Sequence, residues 1–213
     1  RIGVIVLAVG VSAGFAGCSQ QDPQSLIRDA DTYRRSGEIK AAIIQYKNAL
    51  KENPNSAEAR FGLAQTFLDA GDGQSAEQEF RKARASGMRS AAVQFGLARA
   101  LLLQNAADKA LAELATLAAA DPSETATGHA LRGRAKALLG DVSGARTEYA
   151  RALDASRQNA EALLGLAALE LTQQNRLAEA RAIVQSALAV APERAEAWIV
   201  SGDISVAEGQ IAQ

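Results

Sequence analysis

Cysteine, histidine and aromatic residues are scarce in this chain. Cys18 is the one cysteine in 213 residues, so no intramolecular disulfide can form and no thiol cluster can hold a metal. His129 is the one histidine, and no cysteine or acidic cluster flanks it in sequence, which leaves it a structural residue. Phe, Trp and Tyr together supply 4% of the residues, so the core must close through small side chains. Four prolines leave long stretches free to be helical. The formal charge of −1 lacks the clustered basic face that nucleic acid demands. No G-x-x-x-x-G-K-[ST] cradle for phosphate occurs, and no serine has a G-x-S-x-G setting. These absences argue against an enzyme, a cofactor, a metal centre, a small-molecule substrate and a nucleic-acid partner.

Alanine, leucine and a long period are what the sequence does have. Residues 57–84 read as two amphipathic helices joined by a tight turn. Leu63, Ala64 and Phe67 share a face of the first; Ala76, Phe80 and Ala83 share a face of the second. Gly71 supplies the left-handed residue between them. The pattern recurs. Ala42, Ala76 and Ala110 are 34 residues apart, and Ala145 and Ala180 follow at steps of 35. Tyr46, Phe80, Leu114, Tyr149 and Val184 stand four residues after them, and Ala49, Ala83, Leu117, Ala152 and Ala187 three residues later again. Gly37, Asn105 and Gly140 occupy the turn position of Gly71, while Pro54, Pro122 and Pro192 are placed to stop second helices.

This period resembles the tetratricopeptide repeat (TPR) family. The resemblance implies an all-α fold, a right-handed superhelical solenoid of antiparallel helix pairs, with units at 23–56, 57–90, 91–125, 126–159 and 160–194 and a partial sixth at 195–213. Trp198 takes the aromatic position of that last unit. Ile199, Ile204 and Val206 are expected to lie uncovered on its single helix. No methionine stands at position 1 and the pattern still runs at Gln213, so the chain is expected to be a piece of a longer one.

Residues 2–17 form a run of sixteen apolar or small residues ending at Cys18. That is short for a membrane span, which needs about 20, and suits the apolar core of a signal peptide. Phe15-Ala16-Gly17-Cys18 resembles a bacterial lipobox, which implies cleavage before Cys18 and lipid attachment there, with 1–17 removed and 18–22 left as a tether. Ser19 after the cysteine implies the outer membrane, facing the periplasm. Several acyl chains at roughly 0.8 kcal/mol per buried CH₂ hold firmly. The extended reach from Cys18 to Leu26 is only about 26–29 Å, which keeps the first repeat near the bilayer.

In such repeats the first helix of each unit lines the concave side, with its fifth and ninth residues toward the ligand. Here these are Ile27 and Asp31, Phe61 and Gln65, Phe95 and Arg99, Ala130 and Arg134, Leu164 and Ala168. Phe61, Gln65, Phe95, Arg99 and Arg134 are therefore the expected groove for an extended polypeptide, with the aromatic rings as anchors and the arginines for its carboxylates. The lipobox together with residues 31–83 resembles the TPR lipoproteins of the PEP-CTERM/exosortase system. That resemblance implies a scaffold in envelope protein sorting or exopolysaccharide production, with envelope or periplasmic proteins as partners. Outer-membrane assembly and polysaccharide export stand as the alternative. It assigns no functional residue beyond Cys18.

Overall fold

In a computed structural model the described residues are 22–117, 121–172 and 176–209. They form eleven helices: α1 (Pro23–Arg35), α2 (Ile39–Glu52), α3 (Ala57–Asp69), α4 (Gly73–Ala85), α5 (Ala91–Leu103), α6 (Ala107–Ala115), α7 (Pro122–Leu138), α8 (Val142–Ala155), α9 (Ala160–Leu171), α10 (Leu177–Val190) and α11 (Ala195–Ala207). Odd and even helices pair in sequence order as antiparallel hairpins, and the pairs stack into a solenoid. Cys18 and the remainder of residues 1–21 lie outside the described residues, as do 118–120, 173–175 and 210–213.

Local chemistry explains most boundaries. Gly37, Gly71 and Gly140 adopt φ between +74° and +79°, and Asn105 takes the same left-handed turn at +57°. Side chains of Asp22, Ser56, Asp72, Asp121, Asp141 and Asn159 accept hydrogen bonds from the first free N–H groups of the helices they precede. Pro122 departs from expectation. Instead of stopping the second helix of the third unit, it opens α7, behind the cap Asp121, whose carboxylate accepts from the Glu124 N–H at 2.8 Å. Proline's fixed φ suits a first helical position, where its missing N–H costs nothing. Helix α6 has already ended at Ala115, and α7 starts four residues before Ala126.

The buried residues fall into five clusters along the stack. Each combines one helix pair with the first helix of the next, the nearest-neighbour burial of a solenoid. The ring of Tyr46 lies where a side chain on Gly62 would stand, 2.4 Å from an ideal Cβ. Phe80 does the same at Gly96 (2.3 Å) and Tyr149 at Gly165 (2.3 Å). The spacing is sixteen residues each time. At the third junction Leu114 shares its cluster with Leu131, and at the last Val184 shares one with Val200. A glycine at each of the three ring contacts leaves the space that a closely packed ring needs.

At the last helix the expectation was half right. Trp198 is 60% exposed, its indole N–H donating to the Pro192 carbonyl at 2.8 Å, and Ile199 and Val206 are also exposed. Ile204 is instead 1% exposed, packed into the cluster of α9 and α10. A helix lying on a hairpin hides one stripe, and Ile204 occupies it.

Candidate functional site

First helices touch one another: α1 packs on α3, α3 on α5, α5 on α7, α7 on α9 and α9 on α11. Among the described residues no second helix has a comparable contact with another second helix. First helices are therefore the closer-spaced set and line the inside of the curve.

Burial along each first helix defines the open stripe. In α5 the side chains of Val93, Phe95, Leu97, Ala98, Ala100, Leu101 and Leu102 are buried, leaving Ala92, Arg99 and Leu103 along one line. In α7 the corresponding line is Thr127, Arg134 and Leu138. Intervals of seven and four residues keep such positions on one helical face. The ninth-position residues Gln65, Arg99 and Arg134 therefore reach the inner surface, whereas of the fifth-position residues Ile27, Phe95, Ala130 and Leu164 are buried. Phe95 is 7% exposed and belongs to the core of α5 and α7. Phe61 is partly exposed but its ring meets Phe80 edge to face, with centroids 5.7 Å apart. Phe95 is thus taken up by the core and is no ligand anchor, which corrects the sequence reading there, while Phe61 divides its ring between its own hairpin and the surface. The side chain one turn inward of the groove is already needed to close the hairpin.

The apolar surface lies elsewhere. Leu103 is 41% and Leu138 49% exposed, each one turn beyond an arginine of the stripe. Sequence reasoning missed them, although their separation of 35 residues matched that of Arg99 and Arg134. Arg99 is engaged: its guanidinium donates to the Glu161 carboxylate at 2.7 Å, from α5 to α9 past the whole of α7. Arg134 is exposed and forms no ion pair among the described residues. Tyr149 lies nearby. Burial pushes its phenol up, Arg134 opposes that shift and Glu161 adds to it.

His129 is held by Glu148, with Nδ1 2.8 Å from the carboxylate. Lys136 and Arg151 approach the other carboxylate oxygen at 3.5 and 3.3 Å. Burial alone would raise the Glu148 carboxyl; the His129 hydrogen bond, with Lys136 and Arg151 nearby, holds it below the usual range. The buried Glu170 takes a forked contact from Arg146, at 2.8 and 3.0 Å, and another from Arg176 at 2.9 Å. These are compensated buried charges of the framework. Among the described residues no group of three or more acidic, histidine or cysteine side chains could hold a metal ion. A recess of about 390 Å³ opens at the turn from α4 to α5, lined by Arg84, Met88, Arg89, Ser90, Gln94 and Thr116. It lies off the stripe, and its Arg84 is paired with Glu113 at 2.7 Å.

Models of the tetratricopeptide repeat match residues 28–91, 67–135 and 137–204. The chain belongs to the tetratricopeptide repeat family. No curated protein sequence matches it. Among solved structures it is similar to a thermophilic TPR protein of Thermus thermophilus, with 26% identity over 87% of this chain and 100% of that one, and a TM-score of 0.72. It is similar to PilW, described as a widely conserved type IV pilus biogenesis factor, with 22% identity, 89% and 87% coverage and a TM-score of 0.68. YrrB, described as a TPR protein with an unusual peptide-binding site, shares 18% identity over 86% and 94%, with a TM-score of 0.55. Proteins of this family bind peptides or proteins and are generally non-catalytic scaffolds. No helix among the described residues is long and apolar enough to cross a membrane.

Proposed function

We propose that this chain is a non-catalytic scaffold whose inner face, between the second and fourth helix pairs, captures an extended polypeptide. The observation that carries the reading is the open stripe of Gln65, Arg99 and Arg134 on consecutive first helices. Guanidinium groups in a row suit carboxylates or main-chain carbonyls, and stacked helices provide rigid spacing. Replacing Arg99 and Arg134 together by Gln is expected to leave the melting temperature nearly unchanged while weakening capture of envelope proteins in a pull-down, most clearly at low salt. Unchanged capture with the fold intact overturns the site.

The setting we propose is the bacterial outer membrane, with the protein held by lipid on Cys18 and facing the periplasm. The run of small and apolar residues ending at Ala16-Gly17-Cys18 supports it. Cys18→Ala is expected to leave an unprocessed precursor that takes up no clickable palmitate; equal labelling of both forms overturns the anchor. Within that setting the partners are envelope or periplasmic proteins of a PEP-CTERM/exosortase-linked sorting or exopolysaccharide system. Likeness in fold to PilW supports a second reading, assembly of an envelope machine such as a pilus, secretin or export channel. Neighbouring reading frames separate the two: exosortase and polysaccharide-synthesis genes favour the first, pilus or secretin genes the second.

A further inference from the structure

The inner stripe carries a pair of residues that recurs in the third and fourth first helices and in no other described one. It is an arginine followed one turn later by an exposed leucine: Arg99 and Leu103 on α5, Arg134 and Leu138 on α7. The equivalent pairs are Asp31 and Arg35 on α1, Gln65 and Asp69 on α3, Ala168 and Thr172 at the end of α9, and Asp203 and Ala207 on α11. Helix α5 packs directly on α7, so the two pairs form a small rectangle, cationic along one edge and aliphatic along the other. Its long edge runs across the helices, about 8–10 Å between packed neighbours. Its short edge runs along them, about 6 Å for four residues.

The protein itself shows which chemistry the cationic edge accepts. Arg99 carries a carboxylate, that of Glu161, brought from two units away and only 14% exposed at its side chain. Arg134, at the equivalent place, has no such occupant among the described residues. A chain in polyproline II conformation advances about 9 Å per three residues and repeats its facing with that period. This matches the long edge, so ligand residues i and i+3 meet equivalent positions. Acidic side chains at i and i+3 reach the arginines, and aliphatic side chains at i+1 and i+4 reach the leucines.

We propose that Arg99, Leu103, Arg134 and Leu138 together read an extended segment in which an acidic and an aliphatic residue recur as a pair every three residues. Glu161 is the internal competitor for one of its two carboxylates. This rests on the inner face being the binding face, and it names the ligand chemistry that face selects.

The test uses the full chain and a fluorescein-labelled peptide, Gly-Asp-Leu-Pro-Asp-Leu-Gly, read by anisotropy. Replacing both Asp by Asn, or both Leu by Ser, is expected to weaken binding about tenfold. In the protein, Leu103→Ser with Leu138→Ser is expected to do the same, with the melting temperature held because both side chains are exposed. Glu161→Gln, which frees Arg99, is expected to tighten the Asp-Leu peptide and leave the Asn-Leu peptide unchanged. No binding of the Asp-Leu peptide, equal binding of the three peptides, or indifference to the double leucine variant overturns the proposal. An array of unrelated seven-residue peptides, probed in parallel with the wild type and the Arg99→Gln, Arg134→Gln variant, separates the two levels. Array peptides of another chemistry that need the arginines leave the groove standing and sink the acidic-aliphatic rule. If no peptide in the array or in solution needs them, both fall.

Discussion

The first two units and the next two present the same helical stripe to the inside of the curve, yet they use it differently. In the first two, several polar residues on or beside it are tied to neighbours, Gln65 excepted. The Gln24 amide donates to Glu58 at 3.3 Å, Arg34 donates to Asp69 at 3.2 Å, and the Tyr46 hydroxyl donates to Asp31. Burial, with that bond to Asp31, pushes the Tyr46 phenol up. In the third and fourth units one arginine is bound only by a distant carboxylate, the other has no ion pair among the described residues, and both stand over exposed leucines. The lesson is that repeat position alone does not make a binding surface. What matters is whether the group at that position stands open, as Arg134 does, or is held by a carboxylate that a ligand must displace, as Arg99 is.

The comparison holds only if both halves share one framework, and the largest effects test that. Gly62→Val and Gly96→Val would each drive a branched side chain into a ring, Tyr46 or Phe80, already within 2.4–2.3 Å of an ideal Cβ. Each is expected to lose about 3 kcal/mol, the upper end of overpacking penalties, in chemical denaturation. A large loss at one and none at the other breaks the equivalence. Next comes Ala76→Leu, which forces bulk into a fully buried contact of α4 and is expected to cost about 1–3 kcal/mol. Ala85→Leu on the exposed side of the same helix is expected to cost little, and equal melting temperatures would refute the register.

Acid sharpens the contrast by acting on the fourth unit. The Glu148 carboxyl has a folded-state pKa below its unfolded value, so it contributes stability that is fully present above about pH 4.3. That contribution is lost as pH falls through the depressed value. Hydrogen exchange is therefore expected to show α7 and α8 opening ahead of α1 and α2 on acidification, with Glu148→Gln removing the difference. The smallest effects belong to the stripe and the residues beside it. Arg34→Gln and Arg99→Gln remove partly exposed ion pairs and are each expected to cost less than about 1 kcal/mol in thermal unfolding. A larger loss at Arg99 would make its pair with Glu161 a brace of the framework.

Much of the fold was legible in the sequence. Helix pairs, the left-handed turns at Gly37, Gly71, Asn105 and Gly140, and the alanines of the close contacts all follow from interactions within a turn or two of chain. The candidate site was legible in half. The ninth-position arginines could be placed by counting. The aromatic residues one position set earlier, Phe61 and Phe95, attracted notice as large apolar side chains, the signal shared by ligand anchors and by cores. Leu103 and Leu138 gave no such signal, because a leucine in an alanine- and leucine-rich helix looks like every other.

By itself the sequence determined the repeat, its register and the face of each helix that turns inward. The helical period and the turn residues act locally, so they can be counted. Only the tertiary structure decided which inward groups are occupied. Curvature accumulates from the volumes packed at each junction, such as Tyr46 on Gly62 and Phe80 on Gly96, and that accumulated bend brings Glu161 to Arg99 from 62 residues away. No period in the chain marks that meeting, because it is set by the sum of several packings and by no one residue spacing.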